Sequence, residues 1–192
     1  MRVISGKAKG HVLIAPKGQN TRPITAKIKE ALFSMWQMQI TGASFLDLFA
    51  GSGSMGIEAL SRGAKNVVFV ERGRKAIDSI RKNLAICKFS YGYEIYQDDV
   101  FKRIKRLNEK GYRFDIIYLD PPFTTEEIFL PVMETLSGTE ILSENGTIAI
   151  RTRKEKDLPD MIGKLKKFKL RIYGISAIHF YAKANKFAEP IT

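Results

Sequence analysis

Apolar positions along the chain follow two different periods. At 28, 32, 35 and 36, Ile28, Leu32, Met35 and Trp36 recur at helical spacing, which predicts an amphipathic helix over 25–38 with Trp36 as a core anchor. From residue 44 onward, short runs rich in Val, Ile, Leu and Phe predict strands at 44–49, 66–71, 93–97, 115–120, 147–151, 169–173 and 177–181. Longer stretches between most of them read as helices, at 54–62, 73–86, 100–109, 125–136 and 155–167. Strands alternating with helices imply an α/β fold, a mostly parallel sheet of seven strands with helices on both faces. The last two strands are separated only by Gly174, Ile175 and Ser176, so they should pair antiparallel. Ahead of this alternation, Val3-Ile4 and Val12-Leu13-Ile14 are punctuated by Gly6, Gly10, Pro16 and Gly18, which suggests a small β-hairpin within 1–24. The natural division is 1–38, a small hairpin and helix, and 39–192, the main domain.

Composition narrows the class. A chain of 192 residues that is 44% hydrophobic can bury a full core. It has no apolar run of the roughly 18 residues a membrane span needs, and its start lacks an apolar signal segment. Cys87 is the only cysteine and His11 and His179 the only histidines, so neither a disulfide nor a metal cluster is expected. A cytoplasmic location and a monomer are the expectations. The net charge of +12 points to a polyanionic partner. Its distribution sharpens that: residues 1–29 carry Arg2, Lys7, Lys9, Lys17, Arg22, Lys27 and Lys29 and no acid. Arg2, Lys7, Lys9, Lys17 and Arg22 are the candidate nucleic-acid contacts.

The candidate chemistry lies at strand ends. Phe45-Leu46-Asp47-Leu48-Phe49-Ala50-Gly51-Ser52-Gly53-Ser54-Met55-Gly56 runs from strand through a glycine loop into a helix, and Glu71 follows 20 residues after Gly51. Gly51, Gly53 and Gly56 match G-x-G-x-x-G, which permits close approach of a ligand, and an acid at that distance can hold ribose hydroxyls. Spacing alone would fit a dinucleotide. Asp47 favours another ligand, because a carboxylate there would repel a pyrophosphate but attract the ammonium of S-adenosylmethionine. Phe49, Ala50, Gly51, Ser52 and Gly53 would line the same cofactor site. Asp47 could instead cap the loop through backbone N–H groups, and Asp99, which could touch an adenine amino group, could equally be a helix N-cap.

Asp120-Pro121-Pro122-Phe123 ends the strand 115–120. Two prolines stiffen the turn and remove two backbone donors, leaving the Asp120 carboxylate and the Pro121 carbonyl as acceptors. Acceptors on the N–H bonds of an exocyclic amine localise its lone pair and fix its line of attack. Phe123 could stack on the base. In isolation the tetrapeptide would be a plain strand-ending turn with Phe123 in the core.

Together, Asp47 to Gly56, Glu71 and Asp120 to Phe123 resemble the class I methyltransferase pattern, a Rossmann-like fold. Arg2-Val3-Ile4-Ser5-Gly6, Lys9-Gly10, Thr21-Arg22-Pro23-Ile24-Thr25 and Lys29-Glu30-Ala31-Leu32-Phe33 further resemble RsmD-type enzymes. That resemblance implies methylation of a guanine N2 in small-subunit (16S) ribosomal RNA, with S-adenosylmethionine as cofactor and the RNA or the assembled subunit as partner. It departs from the family at Ala26-Lys27, where an Asp-Arg pair is usual, and at His179, where an arginine is common. An adenine-N6 methyltransferase and a basic RNA-binding protein with a decayed site are the alternatives.

Overall fold

A computed structural model describes residues 1–16, 24–122 and 126–187. Among them, five α-helices accompany eight strands: α1 Ala26–Met35, α2 Ser54–Ser61, α3 Arg74–Ile86, α4 Val100–Glu109 and α5 Phe129–Ser137. The strands are β1 Ser44–Leu48, β2 Asn66–Glu71, β3 Tyr93–Gln97, β4 Phe114–Leu119, β5 Leu142–Arg153, β6 Met161–Ile162, β7 Leu165–Tyr173 and β8 Ser176–Lys183. They form one sheet in the order β3-β2-β1-β4-β5-β8-β7-β6. The first five are mutually parallel and the last three join antiparallel. One hydrophobic cluster on each face accounts for the near-continuous apolar runs of β1, β2 and β4, since a strand covered on both sides alternates nothing.

Helix α1 starts where Thr25 Oγ1 accepts from the Ile28 N–H at 3.3 Å. Its apolar stripe carries Trp36, which is 1% exposed and meets Phe33, Phe45 and Tyr118 edge-to-face. The expected role of Trp36 as a core anchor is what the packing shows.

Two expectations need correction. No helix occupies 155–167. That stretch holds β6, a two-residue turn at Gly163 (φ +54°) and Lys164, and the start of β7. The misreading has a physical cause: Leu158, Ile162 and Leu165 are buried at spacings of four and three, the signature of a helix, but a tight turn brings them together instead. The short β6 also makes eight strands rather than seven.

Of the hairpin expected within 1–24, the described residues pair antiparallel around the bridge of Arg2 with Val12, where Val3 N donates to His11 O (3.0 Å), Gly10 N to Val3 O (2.9 Å) and Leu13 N to Met1 O (2.8 Å). Side chains of the main domain tie this pair of arms down. The Glu58 carboxylate, fully buried on α2, accepts from the N–H groups of Ile4 (2.8 Å) and Ser5 (3.0 Å). It also pairs with Lys29 Nζ at 3.1 Å and Arg62 Nε at 2.8 Å. Gly6 lies so close to α2 that a Cβ would sit 1.8 Å from the Ser61 carbonyl oxygen. Asn83 of α3 accepts from the Ile14 N–H and donates to the Ile14 and Ser52 carbonyls. Val3, Leu13, Ile28 and Trp36 thus share one core with Phe45 and Tyr118.

Candidate active site

The sheet order places β1 between β2 and β4, so the chain runs outward to β3 on one side and to β5 on the other. Such a switch point opens a crevice at the carboxyl ends of the two central strands. β1 ends there in the glycine loop and β4 ends there at Asp120.

The loop is held by its own backbone and by two carboxylates. Ala50 N donates to Val70 O at 3.1 Å, and Gly53 N to Ala50 O at 2.7 Å. Phe49 takes φ +59°, a region that costs a non-glycine residue energy and that recurs at functional sites. Glu71 accepts from Gly51 N through Oε2 (2.9 Å) and from Gly73 N through Oε1 (2.7 Å). The acid expected to hold ribose therefore also shapes the loop; each oxygen keeps a further lone pair for a ligand hydroxyl. Gly56 has a steric reason of its own, because a Cβ would stand 2.2 Å from the Phe69 ring. Ser52 is nearly buried and its hydroxyl lies 3.5 Å from Met1 Sδ.

Asp47 is 1% exposed and its Oδ2 accepts from Gly56 N at 2.9 Å. The loop-capping bond is thus present. Burial pushes its carboxyl well above the usual range, opposed by the Gly56 N–H and reinforced by the nearby charges of Asp120 and Glu71. Two further carboxylates acting on the buried Asp47 make this end of the crevice favour cations. That suits a ligand bearing an ammonium and a sulfonium and disfavours a pyrophosphate. At Asp99, both bonds found are those of a helix N-cap, with Oδ1 accepting from Phe101 N and Lys102 N at 3.1 Å. Its neighbour Asp98 is tied to Arg103 (2.7 Å) and Arg106 (2.9 Å).

Asp120 is gripped from two strands. Arg151 of β5 donates through Nε to Oδ1 at 2.8 Å, and Tyr118 of β4 donates its hydroxyl to Oδ2 at 3.3 Å. Burial raises the Asp120 carboxyl above its ordinary value, and the Arg151 and Tyr118 bonds oppose that without cancelling it. For Arg151, burial works to lower the guanidinium value, but Asp120 and Tyr118 outweigh it and raise it. The result is an ion pair whose carboxylate is unusually basic. Tyr118 is held protonated by burial and by the Asp120 charge, so it stays a donor. Pro121 is buried and Pro122 exposed, while Phe123 lies outside the described residues.

Sequence reasoning missed Arg151 and Tyr118. Tyr118 carries a signal in hindsight, since a residue two before Asp120 on a strand shares its face. Arg151 does not, because only pairing of β4 with β5 sets it beside Asp120. His179 lies in β8 with Nε2 3.1 Å from Thr152 Oγ1, a contact that does not involve Asp120 or Arg151.

The basic N-terminal residues are scattered. Arg2, Lys7 and Lys9 are exposed, whereas Lys29 is buried against Glu58 and cannot meet a polyanion. Lys17 and Arg22 lie outside the described residues. Lys7 N donates to Ser61 O at the last residue of α2, the end remote from the glycine loop.

Comparison with known proteins bears on the family and the fold. The family described as "Conserved hypothetical protein 95" matches residues 1–182. "Putative rRNA methyltransferase YlbH" of Bacillus subtilis is 36% identical over 95% of this chain and 99% of its own length. "Ribosomal RNA small subunit methyltransferase D" of Haemophilus influenzae is 33% identical over 82% of this chain and 81% of its own. The solved structure "Putative methyltransferase yhhF from Escherichia coli" superposes with a TM-score of 0.83 at 26% identity, covering 95% of this chain and 97% of that one. The fold is that of the class I methyltransferases.

Proposed function

The chain belongs to the family described as "Conserved hypothetical protein 95", and on that premise we propose that it methylates an exocyclic amine of ribosomal RNA, the N2 of a guanine in the small-subunit RNA, using S-adenosylmethionine. The observation that carries the reading is the Asp120 carboxylate, oriented by Arg151 and Tyr118 at the end of β4, directly across the switch point from the glycine loop.

S-adenosylmethionine supplies a methyl group on a positively charged sulfur, which leaves as a neutral thioether. Asp47 and Glu71 would hold its ammonium and ribose, and the loop of Phe49, Ala50, Gly51, Ser52 and Gly53 would lie along it. Asp120 and the Pro121 carbonyl accept from the N–H bonds of the amine and so aim its lone pair. The raised basicity of the buried carboxylate strengthens that bond as the nitrogen gains positive charge, and the excess proton leaves through it to solvent. Because Arg151 and Tyr118 occupy one lone pair on each Asp120 oxygen, the carboxylate cannot rotate away from the amine. Phe123 is the proposed stacking partner of the base.

RNA contact is assigned first to the exposed Arg2, Lys7 and Lys9. No helix among the described residues is long and apolar enough to cross a membrane. The test is transfer of a labelled methyl group onto under-modified small ribosomal subunits and onto their naked RNA, followed by digestion to nucleosides. Label in N2-methylguanosine supports the reading, label in N6-methyladenosine replaces it with the adenine alternative, and cofactor binding without transfer to any RNA sinks it.

A further inference from the structure

Residues 161–187 contain Lys164, Lys166, Lys167, Lys169, Arg171, Lys183 and Lys186 and no acid, as one-sided a block as the N-terminus. Three of these cations are committed to carboxylates: Lys164 to Glu140, Lys167 to Asp157 and Asp160, and Lys183 to Glu140 and Glu144. Lys166, Lys169 and Arg171 have no carboxylate partner among the described residues.

Sheet register puts these three on one side. Arg171 pairs with Ile178, and Ile178 pairs with Arg151, so Arg171 and Arg151 flank Ile178 on the same face. Two strand spacings separate them, about 10 Å. One step down the sheet, Lys169 pairs with Phe180, which pairs with Ala149. A bulge between Lys167 and Lys169 then shifts the alternation. It turns Lys167 to the other side, where Nζ donates to the Leu158 carbonyl, and leaves Phe168 on the Lys169 side, its ring 6.1 Å from Phe180. Phe168 also meets Phe187 at 5.8 Å, and the two are 38% and 40% exposed. Lys166 Nζ sits 5.6 Å over the Phe187 ring.

We propose that this face of β7 and β8 is the track that receives the RNA backbone and leads it to Asp120, with phosphates on Arg171, Lys169 and Lys166 and an unpaired base on Phe168 and Phe187. The inference rests on the RNA reading above and adds a second basic surface to it. Cations interleaved with exposed aromatic rings are what a single strand of nucleic acid binds, phosphates to the former and base faces to the latter. A second copy of this chain would bring like charges together on such a face. The track also starts beside the Asp120–Arg151 pair, whereas Lys7 lies at the far end of α2.

The test compares the wild-type protein with a Lys166→Gln, Lys169→Gln, Arg171→Gln variant for binding to under-modified small-subunit RNA across a salt series. Methyl transfer, cofactor affinity and melting temperature are measured in parallel. Each lost phosphate contact on a single strand should reduce the slope of log affinity against log salt by about 0.7, so the variant should lose about 2. KM for RNA should rise at least tenfold with kcat, cofactor affinity and melting temperature unchanged, and a Lys166→Arg, Lys169→Arg, Arg171→Lys variant should recover the slope. An unchanged slope in the triple variant, beside a wild type that does transfer methyl, overturns the track and leaves the proposed function standing. A slope that falls as expected, in a protein that binds the RNA but modifies no base, supports the track and overturns the function. Loss of binding to assembled subunits only, with RNA binding intact, assigns the face to a protein contact and overturns the track.

Discussion

Arg151 of β5 and Asp120, which ends the neighbouring parallel strand β4, meet through a 2.8 Å bond from Nε to Oδ1, both largely buried. The pair fixes the carboxylate at the carboxyl end of β4, and the guanidinium opposes the burial that raises its carboxyl. Removing one partner of such a pair strands the other, which makes it a sensitive place to test the mechanism.

Asp120→Asn should keep the shape of the site and lose its charge. An acceptor that acts mainly as the amine becomes cationic is felt in kcat, so turnover should fall by about 100-fold or more while cofactor affinity stays put. Single-turnover rates near wild type would remove Asp120 from the chemistry.

Arg151→Gln should move the acid limb of the kcat profile to higher pH. Burial already raises the Asp120 carboxyl, and Arg151 is the main force lowering it. Without that force the carboxyl rises further, and because the ionised form is the active one, activity appears only at higher pH. Arg151→Lys should give a smaller displacement. A profile that keeps its midpoint in both variants would show that Arg151 does not act through Asp120. Stability should also fall, by about 3–5 kcal/mol if the pair behaves as fully buried.

Glu71→Gln retains an acceptor for Gly51 or Gly73 but not the charge. Cofactor affinity should weaken by about 1–3 kcal/mol, the usual cost of a lost charge-assisted bond. Calorimetry measures it directly, and unchanged affinity in a folded variant would leave Glu71 as a loop fastener only.

Asp47→Asn should raise stability and lower affinity together. A buried carboxyl whose value is raised binds its proton more tightly folded than unfolded, so above the ordinary carboxylate range its ionisation costs stability. The amide removes that cost and can still accept from Gly56 N. The melting temperature without cofactor should therefore rise, and cofactor affinity should drop by about 1.5–3 kcal/mol. A variant with both quantities unchanged would refute the ammonium role.

Lys29→Met should loosen the N-terminus. It leaves Glu58 buried with one fewer cation, at a cost of about 3–5 kcal/mol. Limited proteolysis should then cut within 1–16 well before the main domain. Cutting rates equal to wild type would mean that Gly6 packing and the Glu58 bonds to Ile4 and Ser5 suffice.

The order of strands and helices through β5, the glycine loop, Glu71 at a strand end and Asp120 before two prolines were legible because each depends on residues close together in the chain. Period, turn chemistry and spacing are local, and β2 and β3 fall where the pattern of Val, Ile and Tyr puts them. What tertiary structure alone decided depends on residues brought together by crossovers. Leu158, Ile162 and Leu165 mimic a helix until a turn at Gly163 folds them into a hairpin. Nothing local says where the Ile4 and Ser5 donors go, yet Glu58, more than fifty residues away, accepts both. Lys29 reads as one more surface cation until that same carboxylate buries it. Arg151 reaches Asp120 only because β5 lies beside β4, and Arg171 shares its face only because a bulge resets the alternation of β7. Periodicity tells which side of an element is apolar; it carries no information about which charged group will stand opposite once two elements are packed, and that choice sets the chemistry of this site.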